Sequence, residues 1–340
     1  MSSEKPLLVV LGATGNQGGS VLSHFLSLSS APYALRGLTR DPSSPQSVSL
    51  ASRGVEMVKA DFDVPSSLDD AFKGASAIFS VTDFWHSFAN PALREKAAAT
   101  GERIGPVARA HEAQQCRNII DAAARLGSSL ERFVFSALPD AGGLSGGKYP
   151  HVYHFDGKAY GEEYGRSMYP ELWERTNVLI AGFYLENFFG PRGGPIRPVL
   201  NESKDTLVLS LAAPLATTPL PLYSATTDTG PLVHALLRAS PGKRVIGVSE
   251  WLSLRDFAET LGKVLGKAVE FVDENPSFEM GDPDLEREEA DMLGFMVEFG
   301  YDGHKVDKSI VQPADLGVEV GLPSVSEWCT KQKQDWEKVL

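Results

Sequence analysis

The chain has 340 residues, 42% hydrophobic and 22% charged, an ordinary globular composition with room for a nucleotide-binding domain and a second lobe. Acidic residues outnumber basic ones 44 to 32, and the net charge of −12 comes with no basic cluster, which argues against a nucleic-acid surface. No apolar run approaches the roughly 20 residues of a membrane span, and Met1–Pro6 is too short and polar for a signal peptide.

The run Leu7–Leu11 is short and continuously apolar, the pattern of a strand buried on both faces. Gly12, Gly15 and Gly18 follow, and Ser20–Leu28 continues with helical periodicity. Strand, glycine turn and helix together form a phosphate cradle. Gly12 allows the tight turn, Gly15 lets a pyrophosphate approach the backbone, and Gly18 lets helix and sheet pack closely. Thr14, Asn16 and Gln17 complete the turn, and the helix N-terminus offers N–H groups and a positive dipole.

Tyr33–Thr39 is expected as the second strand, ending in Leu38-Thr39-Arg40-Asp41-Pro42. NAD-binding versions of this unit place an acidic residue here for the ribose 2′-hydroxyl. Thr39 and Arg40 stand there instead, and a guanidinium suits a 2′-phosphate, so NADP(H) is favoured over NAD(H). The alternative for Arg40 is a solvated surface cation. Asp41 is expected to cap the next turn with Pro42. Val55–Ala60 is a third strand, whose tip residues Asp61 and Phe62 are candidate adenine contacts. Ser66-Ser67-Leu68-Asp69 has the pattern of a capping box opening the next helix.

Ala75–Val81 is a fourth strand, ending in Thr82-Asp83-Phe84-Trp85-His86 at the crevice where open α/β sheets bind ligands. Thr82 is a cofactor candidate there; Trp85 either walls a nicotinamide or substrate pocket or is core. Pro91–Ala110 has the composition of an added helical or mobile segment, and Gln114–Leu126 is an amphipathic helix stopped by Gly127. Arg132–Ser136 is a fifth strand with Ser136 at its tip beside the crevice. Ala141–Pro150 is a glycine-rich loop expected to be mobile, and Thr176–Ala181 is a sixth strand.

This alternation implies an α/β fold with a doubly wound parallel sheet of Rossmann type over residues 1–184. A smaller mixed α/β domain is expected over 185–340. There prolines become frequent from Pro191 to Pro231 and strands shorten. Thr227–Leu237, Leu254–Leu265 and Leu285–Phe299 have helical patterns, and Arg244–Val248 is a buried strand that could rejoin the main sheet. Ser324-Val325-Ser326-Glu327 caps a last helix. The only cysteines, Cys116 and Cys329, show neither C-x-x-C nor metal spacing, so two buried free thiols in a reducing, cytoplasmic setting are expected.

The richest polar stretch is Tyr149–Lys158. A lysine beside a nicotinamide ribose can bond its hydroxyls and lower a neighbouring acid's pKa, which makes Lys158 a candidate. His154 lies four residues earlier, on the same helical face, and titrates near neutrality. Their ordinary roles would be a solvated helix lysine and a hydrogen-bonded, partly buried imidazole. Gly182–Phe189 interleaves aromatics with Glu186 and Asn187, which suits either a flat apolar ligand, with Tyr184 and Asn187 as contacts, or packing between lobes. Gly143-Leu144-Ser145-Gly146-Gly147 matches G-x-S-x-G only within the glycine-rich loop, without the strand-to-helix turn that motif needs, and there is no H-E-x-x-H or paired-carboxylate signature, so neither a hydrolase nor a metal site is supported.

Gly-Ala-Thr-Gly-Asn-Gln-Gly at 12–18, Thr-Arg at 39–40, Val-Thr-Asp-Phe-Trp at 81–85, His-Phe-Asp-Gly-Lys at 154–158 and Phe-Tyr-Leu-Glu-Asn at 183–187 together resemble the NmrA-like family of atypical short-chain dehydrogenase/reductases. The resemblance runs from Leu7 to the Trp328 helix, and is nearest to the NADPH redox-sensor branch. It implies NADP(H) binding by a Rossmann domain whose cleft is completed by the smaller domain. It also implies either an NADPH-dependent oxidoreductase of a small aromatic, quinone or carbonyl compound, or a non-catalytic NADPH/NADP sensor that regulates a protein partner; a homodimer fits both. Lys158 matches the lysine of the Tyr-x-x-x-Lys pair of ordinary short-chain dehydrogenases, and His154 stands where their tyrosine would be. Some reductase relatives also lack that tyrosine and rely on the lysine. Pro91–Ala110 resembles an insertion bordering the Trp85 loop, placed to lid an extra pocket.

Overall fold

The computed structural model describes residues 5–189, 196–274 and 280–340; Met1–Glu4 and Pro191, where the proline-rich stretch begins, lie outside them. The first half runs β1 (Leu7–Val10), α1 (Asn16–Ser27), β2 (Ala34–Thr39), α2 (Pro45–Ser52), β3 (Glu56–Lys59), α3 (Pro65–Ala71) and β4 (Ala75–Ser80). It continues with α4 (Phe84–Ala89), α5 (Pro91–Thr100), α6 (Ile104–Arg125), β5 (Arg132–Ala137), α7 (Ala141–Leu144), α8 (Tyr153–Met168), α9 (Pro170–Trp173) and β6 (Thr176–Ile180).

Then come β7 (Phe183–Tyr184), β8 (Val199–Leu200), β9 (Thr206–Ser210), α10 (Ala213–Thr217), β10 (Leu220–Tyr223), α11 (Thr229–Arg238), β11 (Arg244–Ile246), β12 (Glu250–Leu252), α12 (Leu254–Leu265), β13 (Ala268–Val272), α13 (Pro283–Phe299), β14 (Ile310–Val311), α14 (Val325–Lys331) and α15 (Lys333–Val339).

Among the described residues the main sheet has eight strands in the order β14-β11-β6-β5-β4-β1-β2-β3, all parallel. Arg244–Ile246 thus rejoins the main sheet beside β6. Two three-stranded sheets, β12-β10-β7 and β13-β9-β8, are mixed, each with one parallel and one antiparallel pairing. Alternation along β1 splits the core between the two faces of the sheet. Leu8 and Val10 pack with Val21, Leu22 and Phe25 of α1 and Leu232 and Leu236 of α11. Val9 and Leu11 join the opposite core, which holds Leu68 of α3 and Ile119 and Ile120 of α6. Strand order reverses between β1 and β4, and a crevice opens at that point beyond the carboxyl ends of the strands.

Several segments differ from the sequence expectation. Pro91–Ala110 is ordered helix throughout most of its length: Asn90 caps α5 by accepting from Ala92 N, and Gly101 ends it at φ 71°. The helix expected from Gln114 begins ten residues earlier, at Ile104, and runs 22 residues. Ala141–Pro150 carries a helical turn capped by Asp140 and pinned where Gly142 N donates to Asp156 at 3.0 Å. The Ser66 capping box does not form, because α3 starts at Pro65 with Val64 before it, and the Ser67 hydroxyl bonds back to Asp61. The capping box at Ser324 does form, but the last helix breaks at Gln332 into α14 and α15. Cys116 and Cys329 are both buried and free. No helix among the described residues is long and apolar enough to cross a membrane.

Candidate active site

The turn after β1 has the geometry its glycines suggest. Gly12 sits at φ +61°. A Cβ on Gly18 would lie 2.3 Å from Gly12 O and 2.5 Å from Leu11 O, so only glycine lets α1 pack this close to β1. Gly15 differs: its φ of −93° suits any residue, and a Cβ there would meet only Gly12 O, at 3.3 Å. Gly15 also precedes α1 without a side-chain cap, so no side chain competes for the first N–H groups of that helix.

These residues form one end of a cavity of about 940 Å³ at the sheet's switch point. Gly12, Thr14, Gly15, Asn16, Gln17 and Gly18 line its floor, Thr39 and Arg40 one rim, Asp61 and Phe62 the adjoining wall. Arg40 is exposed at the tip of β2 and donates to His86 Nε2. Asp41 forms the expected turn, accepting from Ser43 N at 2.9 Å. The other end is apolar: Phe84, Leu138, Phe155, Phe183, Ile196, Met292, Met296 and Tyr301. Trp85, half-buried on α4, faces this end and packs against the His154 ring at 5.1 Å. Tyr184 and Asn187 line it as well, whereas Glu186 turns away to clamp the loop after β10, accepting from Ser224, Ala225 and Thr226.

Ser136 is the one sequence candidate that does not reach the cavity. It is 1% exposed, and its hydroxyl donates to Gln17 Oε1 at 2.9 Å. Gln17 Nε2 in turn donates to the Tyr184 hydroxyl. Ser136 therefore orients a residue of the glycine turn, and the same amide ties that turn to β7. Burial raises the Tyr184 phenol well above its ordinary pKa, against the opposing pull of Gln17, so it stays protonated at neutral pH.

Lys158 and His154 both line the cavity from the first turns of α8. Each is held by a buried carboxylate from a distant helix. Lys158 Nζ donates to Glu112 of α6, and Thr82 Oγ1 donates to the same oxygen at 2.8 Å. Glu112 is fully buried, and its Oε2 has no hydrogen-bond partner among the described residues. The close approach of α6 to α8 explains two glycines of α8. A Cβ on Gly157 would lie 2.8 Å from Glu112 Oε2, and one on Gly161 2.4 Å from Cys116 Cβ. Burial and the Glu112 charge push the Cys116 thiol up to about 12, so it is no nucleophile.

His154 Nδ1 pairs with Glu288 of α13, which is also fully buried and accepts from the backbone N–H groups of Tyr153 and His154. Glu289, the next residue, lines the cavity. Sequence reasoning missed Glu112, Glu288, Glu289 and His86. The Gly157–Gly161 spacing inside a helix was the available signal for Glu112, since helical glycines four apart mark a close helix contact; nothing local marks Glu288.

The NmrA-like family model matches residues 4–315. The chain belongs to the NmrA-like family. It is 28% identical over 298 residues to the NmrA-like family domain-containing oxidoreductase FrzB of Cladobotryum sp, covering 82% of this chain and 81% of that protein. Among solved structures it resembles NmrA, a negative transcriptional regulator, in complex with NADP, with a TM-score of 0.71 at 18% identity over 99% of this chain and 98% of that one. It also resembles the Citrobacter sp. triphenylmethane reductase complexed with NADP(H), with a TM-score of 0.63 at 16% identity over 96% and 99% of the two chains. These likenesses show a shared overall fold over nearly the whole chain.

Proposed function

We propose that this protein is an NADP(H)-dependent oxidoreductase that reduces a small aromatic, quinone or carbonyl compound. The observation that carries the reading is that one cavity joins a glycine-turn end, shaped for phosphates, to an apolar end where His154 and Lys158 stand. The residues fit the dinucleotide: Gly18 has no room for a Cβ, Gly15 leaves the floor open, and the start of α1 is uncapped. Asn16, Gln17 and the α1 N–H groups would hold the diphosphate. Thr39 and Arg40 would hold the 2′-phosphate, Asp61 and Phe62 the adenine end, and Thr82 and Lys158 the nicotinamide end. When bound, the reduced nicotinamide supplies a hydride. Trp85, Tyr184 and Asn187 would orient a flat substrate and keep water from it, and His154 would carry the proton. Both named neighbours with nucleotide, and the oxidoreductase name of the fungal relative, support this reading.

One residue favours a second reading, a nucleotide sensor acting on a protein partner: His154 occupies the position of the ordinary tyrosine donor. Titration with NADPH and NADH by fluorescence, followed by NADPH oxidation against a panel of quinones, enones and aldehydes, separates the two. Tight NADPH binding with turnover is expected. Binding without turnover of any compound gives the sensor reading the lead, and no binding defeats both.

A further inference from the structure

We infer that Glu288 is a positioning residue for catalysis, forming with His154 a carboxylate–imidazole dyad that replaces the missing tyrosine donor; the inference rests on the oxidoreductase reading above. Three observations carry it. Glu288 is fully buried and meets His154 Nδ1. An ionised carboxylate only accepts, so Nδ1 must carry hydrogen in this pair. The same carboxylate accepts from the backbone N–H groups of Tyr153 and His154 at 3.2 and 3.1 Å, which fixes it at the start of α8. The imidazole is packed among Trp85 at 5.1 Å, Phe155 at 4.6 Å and Phe84 at 6.0 Å, and it lines the cavity. Its position and tautomer are set by groups on three separate helices.

Among the described residues, Glu288 of α13 meets the ring, and Glu289 of α13, Lys158 of its own helix, and Asp83 and His86 at the start of α4 line the same cavity. A carboxylate against one ring nitrogen favours the imidazolium. In the reduction of a carbonyl the carbon gains a hydride from the reduced nicotinamide, and the oxygen must gain a proton. His154 gives that proton from the imidazolium and is left as neutral imidazole with Nδ1 still bonded to Glu288. Glu288 stays ionised throughout, and solvent returns the proton through the open cavity. The alcohol forms from the carbonyl, one hydride and one proton.

Glu288→Gln keeps the shape and removes the charge; Tyr153 N bonds Oε2 and His154 N bonds Oε1, so the amide keeps an acceptor for one of the two. The test uses nitrogen-labelled protein with NADPH bound, in which the His154 ring signals are assigned by their loss in His154→Phe. In the parent, the Nδ1-protonated form is expected to dominate at neutral pH, and in Glu288→Gln the His154 titration is expected to move to lower pH. Turnover with the best panel compound should fall by ~10²-fold or more in Glu288→Gln with little change in KM, as for loss of a positioned acid. In the His154→Phe background, Glu288→Gln should change turnover no further, which a merely structural role would not produce. An unmoved His154 titration overturns the dyad, as does a Glu288→Gln enzyme as fast as the parent beside a slow His154→Phe. If the parent oxidises NADPH with no compound, the oxidoreductase reading fails, and the nuclear-resonance titration alone decides whether Glu288 governs His154.

Discussion

Arg40 and Lys158 carry the residue-scale argument for the nucleotide. Arg40→Ala should weaken NADPH binding by about 1.5–3 kcal/mol, the worth of a charge-assisted contact, and leave NADH nearly untouched. Equal loss for both nucleotides in a fluorescence titration would remove Arg40 from the 2′-phosphate. Lys158→Met does more than delete a ribose contact, because it leaves Glu112 buried without its counter-charge. Stripping one partner from a buried pair costs about 3–5 kcal/mol. Lys158→Met should therefore lower the urea midpoint sharply, and the double variant with Glu112→Gln should restore it without restoring NADPH affinity. A double variant as unstable as Lys158→Met would show that the pair is not what supports the fold there. Arg40 and Lys158 were legible because strand tips and the segment 154–158 announce themselves locally. Glu112 was not, since a glutamate in an alanine-rich helix looks solvated until α8 is laid against it. Ser136 was misplaced for the related reason that β5 is buried on both faces, so its tip residue can point to α1 instead of the crevice.

The glycine turn and the 141–147 loop set the predictions for elements. Gly18→Ala would drive a Cβ into the Gly12 and Leu11 carbonyls. Overpacking typically costs about 1–3 kcal/mol, and backbone neighbours cannot move aside, so the thermal midpoint should fall clearly. Gly15→Val brings its Cβ to 3.3 Å from Gly12 O, a milder crowding than at Gly18, and fills the cradle floor, so it should abolish nucleotide binding with a smaller loss of midpoint than Gly18→Ala; unaltered NADPH affinity in the folded variant would place the nucleotide elsewhere. Asp156 pins the loop from beneath, and burial raises its carboxyl to about 7, outweighing the Gly142 N–H. Arg109, at 3.8 Å, is too far to reverse this.

The folded state thus keeps a proton between the ordinary 3.8 and about 7 that the unfolded chain releases. Stability contributed by this group falls as pH rises through that window and levels off above it. Asp156→Asn should match the parent near pH 4 and exceed it at pH 8, by up to about 4 kcal/mol. Equal denaturant midpoints at pH 8 would contradict this. Element types were readable from periodicity, but the start of α6 was not. Gly101 and Pro106 gave the punctuation, yet the alanine-rich composition on both sides hid where one helix ended and the next began.

At the scale of the whole molecule, the sheet's reversal at β1 and β4 places the phosphate cradle, and the returning segments supply the opposite wall. Tyr184 and Asn187 follow directly on the sixth strand, whereas Met292, Met296 and Tyr301 come from far beyond it. Only Tyr184 and Asn187 stood out in the chain, because helical Met292 and Met296 have the spacing of ordinary core. The cavity with a polar and an apolar end is what the proposed reaction rests on, and hydride transfer is its central step. The direct measurement is a single-turnover reaction with NADPH deuterated at C4 and the best enone or aldehyde of the panel, whose product keeps the label on carbon. Mass spectrometry should find one deuterium transferred from the labelled face to the product, with none from the opposite face, together with stoichiometric loss of NADPH. Saturable NADPH binding with no deuterium in any product would contradict the oxidoreductase account.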